Sequence, residues 1–412
     1  MSKPASEYSL RDPETMECPY EFYSMLRHEK PVHRDARTGF YVVSRYADVL
    51  ELLRNPRVFS SLINRLQVHS TGSEEEVLRI FQTKGWFPLS TLDSDPPEHT
   101  RFRALVNDSF SAHRVAELVP HMTEVAEKIV DTFVNNGACE FVAQFARPFP
   151  LTIMADLLGV PHTDHKLFEK WSDAAIDIYG MMISREREIE CTELQVEMQH
   201  YLAARIKERQ QVPANDILTD LTRARYNGER ELTMEEMLAF AILLLVAGNH
   251  TTSNALSNSM YLLTQHPDLT ERIADDKKRT KGFIEEALRL ESPVQGEIRI
   301  VTEDTTLAGT PIPKGAVVNF RVASANRDEE RFPDPTTLDS ERKGLGMHLA
   351  FGAGIHSCLG AQLARRELEI AFGVLLRRIK NIRAAPGKND FKHTPSSFLR
   401  GLRHLDLTFD KR

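Results

Sequence analysis

Apolar residues recur at intervals of three and four along most of this chain. Between Asp95-Pro96-Pro97 and Pro267 the stretches 97–107, 115–135, 150–158, 165–180, 188–210 and 233–265 all carry such a stripe, so the spacing predicts an almost entirely helical region. The 188–210 stretch is densely charged and reads as a solvated lid. Ahead of this region, 19–26 reads as a short helix with Pro in its first turn, Phe40-Tyr41-Val42-Val43 as a strand and 47–53 as a helix. A long irregular stretch, 60–95, follows. After Pro267 come two more helices and short strands at 298–301 and 317–320. A loop-rich stretch over 326–350, a Gly-rich turn, another helix and a β-like tail at 405–409 close the chain. The pattern is mainly α with a smaller β-rich part. No repeat, low-complexity tract or linker interrupts it, so residues 1–412 read as a single domain.

The longest helix, over 233–265, starts at a capping box of Thr233 and Glu236 and stops at His266-Pro267. At ~1.5 Å rise per residue its roughly 33 residues span about 50 Å. Ala247-Gly248-Asn249-His250-Thr251-Thr252 interrupts its apolar sequence in the middle. Glycine removes a side chain where a planar cofactor could approach. The Thr251 hydroxyl can bond the Ala247 carbonyl or push it outward, opening a bulge and a groove for a small polar ligand. The alternative is a threonine pair satisfied by its own backbone.

Residues 351–360, FGAGIHSCLG, set Cys358 between glycines just ahead of a helix marked by Ala364, Leu368, Ala371, Phe372 and Leu375. A cysteine at a helix N-terminus meets unpaired amides and the positive end of the dipole, and both favour a thiolate. Gly352, Gly354 and Gly360 let the backbone turn tightly and bring N–H groups towards sulfur, as a thiolate against haem iron requires. Taken without its neighbours, Cys358 would read as a buried structural cysteine.

Charge and composition narrow the field. The 412 residues are 41% hydrophobic and 27% charged, enough for a large core. Lys and Arg total 52 against 59 Asp and Glu, a net charge of −7 that gives no sign of nucleic-acid binding. The start, MSKPASEYSLRDPE, is polar, and the longest apolar run, 237–247, is too short to span a bilayer. A cytoplasmic protein without a membrane anchor is expected. Cys18, Cys139, Cys191 and Cys358 form no CxxC pair, so reduced thiols and no structural zinc are expected.

The pattern Phe351-x-x-Gly354-x-His356-x-Cys358-x-Gly360 resembles the haem-binding signature of the cytochrome P-450 family at every fixed position. The resemblance implies that family's fold, haem b as cofactor, and Cys358 as the iron ligand, with Phe351 and Gly360 beside it. Ala247-Gly248-Asn249-His250-Thr251 resembles the family's oxygen-binding A-G-x-(D/E)-T stretch. That places Ala247 and Gly248 against the haem and implies that Thr251 helps deliver the proton that breaks the O–O bond. His250 stands where the family has Asp or Glu. It either relays protons near neutral pH or points away and pairs with a lid carboxylate.

Glu286-x-x-Arg289, with Arg342 in a stretch that resembles the family's meander, implies a buried ion triad that fixes the cysteine loop; Leu338 replaces the usual Phe there. His99, Arg103, Arg299 and His356 stand where the family contacts haem propionates. Trp86, Phe87, Leu244, Val294, Phe398 and Leu399 fall in its substrate-contact regions and would form an apolar wall. The implied reaction inserts one atom of O₂ into a C–H bond of a terpenoid, steroid, fatty or aromatic molecule. Electrons would come from a separate ferredoxin or flavodoxin-type donor with its reductase, because the chain has no flavin or iron–sulfur segment. Arg101, His113, Arg114, Arg365 and Arg366 are expected to form a basic docking face for that donor. A peroxide-driven peroxygenase of the same fold and a non-catalytic, gas-sensing haem protein are the rival readings.

Overall fold

A computed structural model describes residues 8–63, 71–274 and 276–412. The chain divides into two compact units. One comprises Met1–Ser61, Leu118–Phe149 and Thr251–Arg412; the other comprises Leu62–Glu117 and Pro150–His250.

The first unit holds nearly all the β structure. Its larger sheet runs in the order Val32–Arg34, Tyr41–Val43, Val317–Phe320, Glu297–Val301, Phe59–Ser60. Tyr41–Val43 and Val317–Phe320 are parallel, and the other neighbours are antiparallel. Burial selects these segments: Val32, Val43, Val301, Val318 and Phe320 share one core with Leu52 and Leu53 of the helix Tyr46–Arg54. Fully burying such a side chain contributes ~1.5–3 kcal/mol. Ile379–Ala384, Asp406–Lys411 and Ala138–Glu140 form a second, three-stranded sheet. Around the sheets lie the helices Val119–Asp131, Pro267–Ala274, Lys277–Leu290 and Ala361–Arg378; Phe283 and Phe372 join the last two edge to face at 5.5 Å.

The second unit is almost wholly helical, with Glu74–Lys84, Glu98–Val106, Ala112–Glu117, His165–Gly180, Arg185–Gln211 and Ile217–Arg223. Phe168, Trp171 and Tyr201 lock His165–Gly180 onto Arg185–Gln211, with ring centroids 5.4, 5.5 and 5.2 Å apart. Two helices, Pro148–Leu157 and Met234–Gln265, contain boundaries between the units.

The structure departs from the sequence pattern in four places. The 60–95 stretch contains the helix Glu74–Lys84, whose Val77, Ile80 and Phe81 bury against Val196; residues 64–70 of that stretch lie outside the described residues. Three glutamates in its first turn suit the positive end of the helix dipole. The 115–135 stretch is two helices, and Pro120 enters the first turn of the second, where its missing N–H costs nothing. The 188–210 stretch is not a solvated lid: within Arg185–Gln211, Cys191, Leu194, Met198, Leu202 and Ile206 form a buried stripe beneath the charges. Met234–Gln265 is α-helical over all 32 residues, so the bulge expected between Ala247 and Thr251 does not form. Its capping box does form, with the Thr233 amide 2.8 Å from Glu236 Oε2 and the Glu236 amide 3.3 Å from Thr233 Oγ1. Among the described residues no helix is long and apolar enough to cross a membrane.

Candidate active site

Two left-handed glycines shape the cysteine loop. Gly352 has φ +67° and Gly354 φ +71°, values that a side chain would strain. A Cβ on Gly354 would also stand 2.4 Å from the Leu53 carbonyl oxygen, so only glycine lets the two backbones meet. The Cys358 amide donates to the Phe351 carbonyl at 2.8 Å and closes the loop. Cys358 is left exposed, three residues ahead of Ala361, where the helix Ala361–Arg378 starts. Gly360 lies beside the sulfur: a Cβ there would stand 4.0 Å from Cys358 Sγ, an ordinary contact distance. His356 Nε2 lies 3.0 Å from Ser61 Oγ.

The implied triad forms. Arg289 Nε and Nη2 each donate to Glu286 at 2.7 Å, and Arg342 Nε donates to Glu286 Oε1 at 3.0 Å. The remaining guanidinium protons hold the meander backbone: Arg289 donates to the carbonyls of Asn326 and Pro335 at 2.8 Å, and Arg342 to those of Pro333, Asp334 and Thr337. Asn326 Oδ1 then accepts from the Leu349 amide at 2.6 Å, and the Leu349 carbonyl accepts from the Gly352 amide at 2.8 Å. The triad is thereby linked to the cysteine loop through a continuous chain of hydrogen bonds.

A second ion cluster, which sequence reasoning missed, braces the same loop. Glu285 accepts from Arg365 at 2.7 and 3.0 Å and lies 3.0 Å from His348 Nε2. Burial works against a charged Glu285, but the bonds from His348 and Arg365 prevail and hold its pKa at about 2. The Arg365 guanidinium also lies 4.3 Å from the Phe351 ring centroid. Arg365 is therefore a brace for the cysteine loop. The other four expected docking cations are partnered too: Arg366 with Glu369, Arg101 with Tyr226 and Glu98, and His113 and Arg114 with Glu117. Those four cations remain exposed within their pairs, whereas Arg365 is committed to the Glu285 cluster.

Arg299 is buried beside its strand neighbours, donating to the Ile298 carbonyl at 2.8 Å and to Glu297 at 3.3 Å, with its guanidinium 5.1 Å from the Phe320 ring centroid. In the second unit, His99 and Arg103 lie one turn apart on Glu98–Val106. His99 is 3% exposed; burial and the nearby Arg103 lower its pKa, so the ring is a neutral donor at neutral pH. Arg103 Nε donates to Asn107 Oδ1 at 3.3 Å.

On Met234–Gln265, Ala247 is exposed although Leu244, Leu245, Val246 and Asn249 around it are buried. At Gly248 a Cβ would meet Met154 Sδ at 2.7 Å, so the glycine makes room for that side chain of the helix Pro148–Leu157. His250 Nε2 stands 3.2 Å from Asp173 Oδ1, within ion-pair range but poorly aligned for a hydrogen bond. This is the pairing alternative, with the carboxylate supplied by His165–Gly180 rather than by the 188–210 stretch.

Glu367 was also missed. It occupies an apolar position of Ala361–Arg378 between Leu363 and Ala371 and is 1% exposed. Burial pushes its pKa up to about 8 against the opposing hydrogen bond from Thr252, so it holds a proton beside the residue that follows Thr251. A carboxylate on the apolar stripe of a helix was the available signal.

The implied substrate residues fall into two groups. Val294 and Leu399 pair across an isolated antiparallel bridge, and the Gln295 amide donates to the Phe398 carbonyl at 2.8 Å. In the second unit, Trp86 packs on His200 with ring centroids 5.2 Å apart, while Gln199 bonds both the Trp86 amide and its carbonyl. Phe87 is 44% exposed beside Phe81, and Leu244 is buried.

The chemistry of these donors fits a haem. In the first unit, an exposed cysteine sulfur heading a helix suits haem iron and the buried Arg299 suits a carboxylate; in the second unit, His99 is a buried polar side chain suited to the same use.

Comparison with known proteins gives the same reading. Residues 52–401 match the family model described as Cytochrome P450. The chain is 35% identical over 396 residues to the cytochrome P450 monooxygenase PikC of Streptomyces venezuelae, covering 94% of this chain and 90% of that one. It is 33% identical over 397 residues to the vitamin D(3) 25-hydroxylase of Pseudonocardia autotrophica, covering 96% and 94%. The solved structure of cytochrome P450 CYP109Q5 from Chondromyces apiculatus matches with a TM-score of 0.85 at 32% identity, covering 99% of both chains.

Proposed function

The chain belongs to the cytochrome P450 family, and from that premise we propose that it hydroxylates an apolar small molecule with electrons from a separate ferredoxin or flavodoxin-type donor. It is a haem-thiolate monooxygenase that uses haem b, dioxygen, a substrate and a redox partner. Bound haem supplies the activation of dioxygen and the insertion of one of its atoms into a C–H bond.

The chain's residues take these parts in the proposal. Cys358 holds the iron, steadied by the Phe351 carbonyl, the Gly354 turn and the two ion clusters. His99, Arg103, Arg299 and His356 bind propionates, and Ala247 borders the ring. Thr251 passes a proton from its hydroxyl, and Glu367 holds a proton nearby. His250, drawn to Asp173, is a positioning residue for the helix. Leu244, Val294, Phe398 and Leu399 keep water from an apolar substrate.

The observation that carries this reading is the exposed Cys358 in its closed, glycine-shaped loop at a helix start. The test compares turnover of apolar compounds, first selected by their shift of the Soret band, under two regimes. One supplies NADPH, a reductase and a surrogate ferredoxin or flavodoxin in air; the other supplies hydrogen peroxide alone. Product that depends on the electron donor is expected. Product formed with peroxide but with no donor pair would overturn the proposal in favour of a peroxygenase, and no product in either regime would favour a non-catalytic haem protein.

A further inference from the structure

A cluster of ligand-type side chains stands at the corner between Pro148–Leu157 and His165–Gly180. Asp156, His162 and His165 each present one ligand atom, all within 4.8 Å of one another. His162 Nε2 is 3.6 Å from Asp156 Oδ1, and the two imidazole rings are 4.7 Å apart. Nε2 of His165 is buried without a hydrogen-bond partner, although a buried polar atom normally has one.

We propose that Asp156, His162 and His165 bind a divalent transition cation of the zinc type. Two imidazoles and one carboxylate suit zinc, which takes such ligands at ~2.0–2.2 Å in tetrahedral geometry. Ligand atoms at those distances stand about 3.4 Å apart, close to the Asp156–His162 spacing already present. His162 is exposed, so its side chain can swing to complete the site. Calcium and magnesium prefer oxygen-rich shells and would be held poorly here.

The backbone between the ligands is fixed beforehand. Gly159 has φ +70°, and a Cβ there would stand 2.1 Å from Asp216 Oδ2. Its carbonyl accepts from Arg205 at 2.9 Å and from Arg209 at 3.2 Å, which pins the corner to Arg185–Gln211. Asp156 lies one residue before the end of its helix, where carbonyl dipoles favour a cation. With three protein ligands the cation keeps a fourth position for water and ties the end of one helix to the start of the next.

The test uses the haem-loaded protein, washed with a chelator, dialysed against zinc and assayed for zinc and iron by elemental analysis. One zinc per chain is expected for the wild type, and none above background for the double variant His162→Ala/His165→Ala. His162→Ala alone, at an exposed position, should weaken zinc binding about tenfold or more while leaving the haem spectrum unchanged. Copper(II) added in place of zinc should give an electron paramagnetic resonance signal split by two nitrogens. Equal zinc in wild type and double variant, no zinc retained by the wild type, or a copper signal without nitrogen splitting would overturn the proposal.

Discussion

Replacing Glu286 by Gln preserves the size of the side chain and removes the one negative charge shared by two guanidinium groups. Glu286 and Arg289 are both 0% exposed, so solvent cannot compensate. Arg289 would keep the carbonyls of Asn326 and Pro335, which carry no net charge, and the glutamine NH₂ would face donors that now point at an acceptor oxygen. Breaking a buried pair by removing one partner costs about 3–5 kcal/mol. Against a total stability of ~5–15 kcal/mol that is a large fraction. Arg366→Ala is the control, because its pair with Glu369 is 41% exposed on the arginine side and such pairs contribute ~0–1 kcal/mol. Urea unfolding followed by far-ultraviolet circular dichroism, with haem absorbance as a second probe, compares the two variants. Glu286 also accepts from the Asp339 amide at 3.1 Å, and Asn326 connects onward to Leu349. Hydrogen exchange over 326–350 should therefore accelerate in Glu286→Gln more than elsewhere. A variant within about 1 kcal/mol of wild type would refute the assignment of the triad as the meander's anchor.

Thr251→Ala is expected to retain haem and substrate binding while diverting electrons into hydrogen peroxide; a wild-type ratio of product to NADPH would remove Thr251 from proton delivery. For Glu367, the folded pKa of about 8 lies above the ordinary value of 4.5, so the folded state keeps a proton that the unfolded state loses between them. The stability this contributes is complete below the lower value and is lost as pH rises through the upper one. Glu367→Gln should flatten the stability profile over that window, and an unchanged slope would contradict the buried, protonated assignment. Arg299→Ala should weaken haem retention by on the order of a few kcal/mol, because a propionate loses a buried partner; full haem content after extended gel filtration would count against it.

The parts of the site that depend on local sequence were legible. Thr233 and Glu236 announce the start of the long helix because a capping box involves only residues three apart. The cysteine loop is similar, since its turns need glycine at 352 and 354 whatever surrounds them. What escaped depends on partners distant in sequence. Arg365 reads as a free surface cation until Glu285, 80 residues earlier, is found beside it. The parallel pairing of Tyr41–Val43 with Val317–Phe320 leaves no trace in either segment. Glu74–Lys84 was hidden because its apolar stripe of Val77, Ile80 and Phe81 is short and follows three glutamates. The Arg185–Gln211 helix misled in the other direction: its charges dominate the average, while a single stripe from Cys191 to Ile206 decides which face is buried.

The account stands on Cys358 as the thiolate ligand, and replacing that residue by His tests it most directly. The reduced, carbon monoxide-bound wild type should show the strongly red-shifted Soret band of thiolate ligation, and Cys358→His should bind haem without it. A variant that keeps the red-shifted band, with haem content equal to wild type, would contradict the central assignment.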